Sequence, residues 1–148
     1  MFCGIAIAAS LMLSDPNVAL AAAAPAAVAG APASVASEPL FADIVSRSST
    51  LKAVVDGWTG APTGFDAFKA QALALAELDM QGHLILEARG TDEDLKCILR
   101  GISEDIPLKI AALEAATTDE ARAAAIAELS YLFNDNVEVI TTPPQPEA

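Results

Sequence analysis

The stretch LKCILRGISEDIPLKIAAL, Leu95 to Leu113, decides the fold. Its Leu95, Ile98, Leu99, Ile102, Ile106, Ile110 and Leu113 recur at helical spacing and lie on one stripe of a helix advancing 100° per residue. Pro107 interrupts this run without shifting its phase. A proline there removes one backbone hydrogen bond, near Ser103, so the expectation is a kinked helix that continues. Just upstream, Thr91 is the expected N-cap, and Asp92, Glu93 and Asp94 set negative charge against the positive end of the helix dipole.

The same periodicity appears on both sides. Before it, SEPLFADIVSRSSTLKAVVDGW spaces Leu40, Phe41, Ile44, Val45, Leu51, Val54, Val55 and Trp58 for a first helix, with Ser37 as cap and Pro39 in the opening turn. TGAPTG, Thr59 to Gly64, is a loop by composition. A second helix is expected from about Phe65 to Arg89, stopping at Gly90. Phe65, Phe68, Ala72, Leu75 and Ala76 share one side of it, whereas Leu78, Leu84, Ile85 and Leu86 spread round the axis, as contact with more than one neighbour requires. After the decisive stretch, Thr117 with Glu120 reads as a capping box for a fourth helix burying Ile126, Leu129, Leu132 and Phe133. That helix is expected to end at Asn134 to Asn136, with VEVI running on along the surface.

Four helices on short connections give an all-α fold, an up-and-down antiparallel bundle occupying residues 39–140. Aromatic residues make up only 5% of the 148, so the core has to be built from Leu, Ile and Ala. Period-two alternation is confined to VEVI, which leaves a β-rich fold without support.

Outside the bundle the sequence changes character. FCGIAIAASLML, Phe2 to Leu13, is apolar or small throughout but well short of the roughly 20 residues that span a bilayer. Asp15, Pro16 and Asn17 then break it, and Ala19-Leu20-Ala21 offers the small residues a signal peptidase reads. Residues 1–21 are therefore read as a signal peptide with cleavage after Ala21, and the mature form as periplasmic or secreted, without membrane insertion. No Lys or Arg stands ahead of the apolar run, and the alternative is a cytoplasmic protein in which this segment is a buried helix. Residues 22–38 are Ala/Pro-rich and read as a disordered linker; residues 141–148, with three prolines, read as a disordered tail.

Charge and motifs narrow the function classes. Twenty acidic residues against eight basic ones give a net charge of −12, which disfavours phosphate backbones and anionic lipid surfaces, so no nucleic-acid partner is expected. Cys-x-x-Cys-His is absent, so covalent haem attachment is excluded. Met80 and His83, three residues apart on one helix, cannot be trans axial ligands of an iron. Paired Glu-x-x-His motifs, Gly-x-Ser-x-Gly and phosphate-binding glycine loops are missing too, so neither a cofactor nor a catalytic role is expected. Asp79, His83 and Glu87, spaced by four, line one helical ridge and are the candidate metal ligands; the ordinary reading of such a ridge is a solvated, ion-paired one.

Cys97, Gly101 and Leu108 lie away from the stripe of the third helix and form a second, smaller face, the candidate interaction surface. With the signal removed, Cys97 would be a lone thiol; two third helices meeting across Cys97 and Gly101 would make a homodimer, and the alternative is quiet packing against the loop or first helix. The expected function is an exported, acidic interaction module that binds another protein. The alternative is a periplasmic sensor or carrier holding a small ligand or metal in or on the bundle.

Overall fold

The computed structural model describes residues 34–142. The expected signal peptide, most of the linker and the end of the tail lie outside them. After a 3-10 turn at Val35–Ser37 come four helices: α1, Pro39–Asp56; α2, Phe65–Arg89; α3, Glu93–Ala115; and α4, Asp119–Thr141. Each packs against the helices before and after it, α1 closes the ring against α4, and the diagonal helices α2 and α4 meet through side chains in the core. This is the expected up-and-down bundle, and polar contacts between helices fix its directions. Glu38 at the start of α1 takes a bidentate grip from Arg89 at the end of α2, at 2.7 and 2.9 Å. Lys69, early in α2, meets Glu114, late in α3, at 2.6 Å. Asp56 and Ser48 on α1 meet Ser130 and Asn136 on α4, so the two helices run in opposite senses.

Phe41, Ile44, Leu51 and Val55 of α1, Phe68, Leu75 and Leu86 of α2, Leu99, Ile106 and Ile110 of α3, and Leu129, Phe133 and Ile140 of α4 form the core. At α2 the helices approach closely around Gly82. A Cβ there would stand 3.1 Å from Leu99 Cδ1 and 3.3 Å from Phe41 Cε1, so the missing side chain lets α1 and α3 close on α2. Gly90 ends α2 in the left-handed region, φ 66°, with its N–H donating to the Leu86 carbonyl at 3.0 Å.

The helix starts differ from the sequence reading by a residue or so. Ser37 does not cap α1; it closes the 3-10 turn, whose Val35 is buried in the core, so the folded body begins inside the stretch read as linker. Glu38 holds the N-cap position, but its side chain makes no capping bond to the helix backbone. On α3 the cap position falls to Asp92, not Thr91, with φ 52°, a left-handed conformation that Asp tolerates better than most residues. On α4 Thr118, not Thr117, caps, its Oγ1 accepting from the Ala121 N–H at 3.1 Å.

Two larger corrections concern where apolar and polar residues go. Helix α4 does not stop at Asn134–Asn136; it runs to Thr141, and VEVI is helical with Ile140 fully buried. The ring of contacts explains this, because Ile140 lies on the same face as Leu129, Leu132 and Phe133, and no Gly or Pro intervenes to end the helix. On α2, Leu86 is buried and Leu78 half-buried, as contact with two neighbours demands, but Leu84 and Ile85 are exposed. Val54 is likewise exposed, and Ile98 and Ile126 are half-buried. Pro107 sits inside α3 on its solvent side, and the helix continues through it. No helix among the described residues is long and apolar enough to cross a membrane.

Candidate functional site

Two features stand out from an otherwise apolar bundle, one inside it and one on its surface. The inner one is a polar centre. Ser48, Asp79 and Asn136 occupy core positions on α1, α2 and α4 and are all 0% exposed. Asn136 Nδ2 lies 3.0 Å from both carboxyl oxygens of Asp79 and 3.0 Å from Ser48 Oγ. Asn136 Oδ1 is buried and makes no hydrogen bond. Burial pushes the Asp79 carboxyl up to about 8, and the amide hydrogen bond from Asn136 offsets only part of that.

This overturns the ridge expected on α2. Asp79 and His83 do not face solvent, whereas Glu87 does. His83 Nδ1 stands 2.9 Å from the Lys96 carbonyl of α3, which can only accept, so Nδ1 carries a hydrogen and ties α2 to α3. Its Nε2 lies 3.7 Å from Glu87 Oε2. Among the described residues no cluster of three or more His, Cys, Asp and Glu is placed to hold a metal ion. Asp79 is therefore spent inside the core, and His83 at the seam between two helices.

The sequence does carry a signal for the polar centre. Ser48 falls between Ile44 and Leu51, Asp79 between Leu75 and Gly82, and Asn136 between Leu132 and Ile140, each on the three-and-four spacing of its helix's buried face. Read by periodicity alone, these are core positions. Read by residue type, Asp79 goes to a solvated ridge and Asn136 to a helix end, and neither expectation holds.

The surface feature is a groove of about 940 Å3 between the end of α1, the loop that follows it and the first two thirds of α4. Val55, Ala123, Ile126 and Ala127 give it apolar walls, and Trp58 and Tyr131, the single Trp and single Tyr of the chain, both line it. Trp58 is set by two contacts. Its Nε1 donates to the Thr63 carbonyl at 3.2 Å, closing the loop on itself, and its ring packs edge-on to Phe68 at 4.8 Å. Tyr131, by contrast, is 70% exposed. Two ion pairs edge the groove: Lys52 with Asp56 and Arg122 with Asp119, both at 2.6 Å. Asp56 also accepts from Ser130 Oγ, and the hydrogen bond from Lys52, then that from Ser130, holds its carboxyl below the ordinary range.

The residues proposed as an interaction face on α3 lie elsewhere. Gly101 is exposed with open space where a Cβ would stand, and Leu108 is 65% exposed, so this side of α3 does face outward. Cys97 is half-buried and, in the full-length chain, is not a free thiol. None of the three lines the groove.

Comparison with protein-family models, with curated proteins and with solved structures finds no match to this chain. The functional reading accordingly rests on the geometry of the groove.

Proposed function

We propose that the chain is a binding module that takes an extended, neutral, proline-rich peptide segment in the groove between α1 and α4. The observation that carries this reading is the placement of Trp58 and Tyr131 in one groove beside Arg122. Trp, Tyr and Arg are the residue types in which binding energy concentrates at protein interfaces, and grooves lined by aromatic rings suit the preformed extended helix of proline-rich segments.

Charge and dimensions support that occupant. The surface as a whole is strongly acidic, yet the groove pairs each of its two cations with a carboxylate and is close to neutral. A phosphorylated or acidic ligand finds no open cation there, and a neutral one meets no repulsion. From Asp119 to Asn134 the α4 wall rises about 22 Å at 1.5 Å per residue, the length of about seven residues of a polyproline helix. The small side chains of Ala123 and Ala127 keep the wall low for such a slender ligand, whereas a helix with side chains is about 10 Å across.

Because Trp58 is the single tryptophan, its fluorescence reports occupancy directly. Titration with a neutral peptide of about seven prolines and alanines is expected to give a saturable change in emission. Tyr131→Ala is expected to weaken binding about tenfold or more, and Leu108→Ala, on the outward side of α3, to leave it unchanged. A flat titration into the millimolar range sinks the reading. Tighter binding of an amphipathic helical peptide would sink the extended occupant.

The site of action belongs to the same proposal. Export is supported by the short apolar run and the Ala19-Leu20-Ala21 pattern, and mass spectrometry of the protein from its native host is expected to find a chain beginning at Ala22. A chain from the cytosolic fraction that begins at Met1 would refute it.

A further inference from the structure

The polar centre points to a property independent of the groove. Asn136 Nδ2 carries two hydrogens, but three acceptors stand 3.0 Å from it: both carboxyl oxygens of Asp79 and Ser48 Oγ. With Asp79 ionised, the amide cannot serve all three, and a full negative charge lies in the core with only that amide to solvate it. With Asp79 neutral, no charge remains in the core to be solvated. The cost of burying an unpaired charge therefore favours the protonated acid in the closed bundle.

No cation is on hand to offset the charge. None of the ion pairs among the described residues includes Asp79. On α1 the flanking cations, Arg47 and Lys52, are held by Asp43 and Asp56. On α2 His83 is bound to the Lys96 carbonyl, and Glu77 is exposed. On α3 the Lys96 ammonium reaches Glu93 at 2.8 Å. On α4 the neighbouring titratable groups are acidic: Asp135, half-buried and itself pushed up by burial, and Glu138, exposed.

We propose that Asp79 is a proton-operated latch: neutral, it lets Asn136 and Ser48 tie α1, α2 and α4 together, and its ionisation loosens the bundle at that seam. The device needs no ligand beyond the proton. It would make a protein held outside the cytoplasm respond to the acidity of its surroundings, and it holds equally if the groove binds nothing.

The test uses the full chain. Carbon-13 NMR of the Asp79 carboxyl is expected to show the neutral form at pH 6 and the ionised form at pH 9. Over the same interval, amide hydrogen exchange around Ser48 and Asn136, corrected for the intrinsic effect of pH, is expected to speed up at least about tenfold. In Asp79→Asn, whose amide matches the neutral carboxyl in shape, exchange is expected to stay level. An ionised Asp79 at pH 6 overturns the proposal on the wild type alone. So does equal acceleration in both proteins, or an Asp79→Asn chain that fails to fold at pH 6, since the neutral isostere must support the closed bundle.

Discussion

Between pH 5 and pH 9 the bundle is expected to lose on the order of 4 kcal/mol of stability, and Asp79→Asn is expected to abolish most of that loss. The sign follows from the raised carboxyl. In the unfolded chain Asp79 ionises near 3.8, in the folded bundle at about 8. Across that window the native state keeps a proton that the unfolded state has released, so unfolding gains on every upward step of pH. The slope is about 1.4 kcal/mol per pH unit, and the three units from 5 to 8 give the figure above. The contribution is complete below the unfolded value, falls as pH rises and is gone once the folded group has ionised. Glu38 and Asp56 act in the opposite sense, because Arg89 and Lys52 hold their carboxyls low, but Glu38 is only half-buried and Asp56 exposed, so their effect is small and appears only on strong acidification. Urea unfolding at a series of pH values measures the slope. A midpoint that does not move between pH 5 and 9, or that moves equally in Asp79→Asn, would count against the assignment.

Phe133→Ala is expected to destabilise the protein by about 3–5 kcal/mol. Phe133 is fully buried on α4, and its ring meets Phe68 of α2 edge-on at 6.0 Å. Phe68 in turn packs on Trp58 at 4.8 Å, so the three rings join α4, the start of α2 and the loop behind the groove. With only seven Phe, Trp and Tyr residues in total, the chain has little aromatic surface to refill the gap. Native domains of this size are stable by about 5–15 kcal/mol, so a large share of the total would go. Tyr131→Ala is the contrast: the side chain is mostly exposed, and stability should change by no more than about 0.5 kcal/mol. A Phe133→Ala chain whose urea midpoint stays near wild type would show that the aromatic column is not a structural support.

Much of the candidate groove was written in the sequence as parts, not as a site. TGAPTG was legible as a loop, and Trp58 as the last apolar residue before it. Tyr131 gave no signal, because it lies beside Leu132 and Phe133 and only the helix's rotation puts it outside. The groove exists because α4 runs antiparallel beside α1, bringing Ser130 against Asp56 across 74 residues of chain. Local periodicity carries no information about such a pairing.

The sequence by itself determined the number of helices, the stop of α2 at Gly90 and the buried stripe of α3, since these depend on side chains a few residues apart on one helix. Tertiary structure decided which polar residues enter the core. Burying Ser48, Asp79 or Asn136 alone costs free energy, and residue type rightly argues against it. The cost becomes bearable only when the three meet, and the partners of Asn136 lie 57 and 88 residues away along the chain. The same packing decided that α4 runs on to Thr141, because Ile140 has a core to enter only once α1 and the turn at Val35 stand against it.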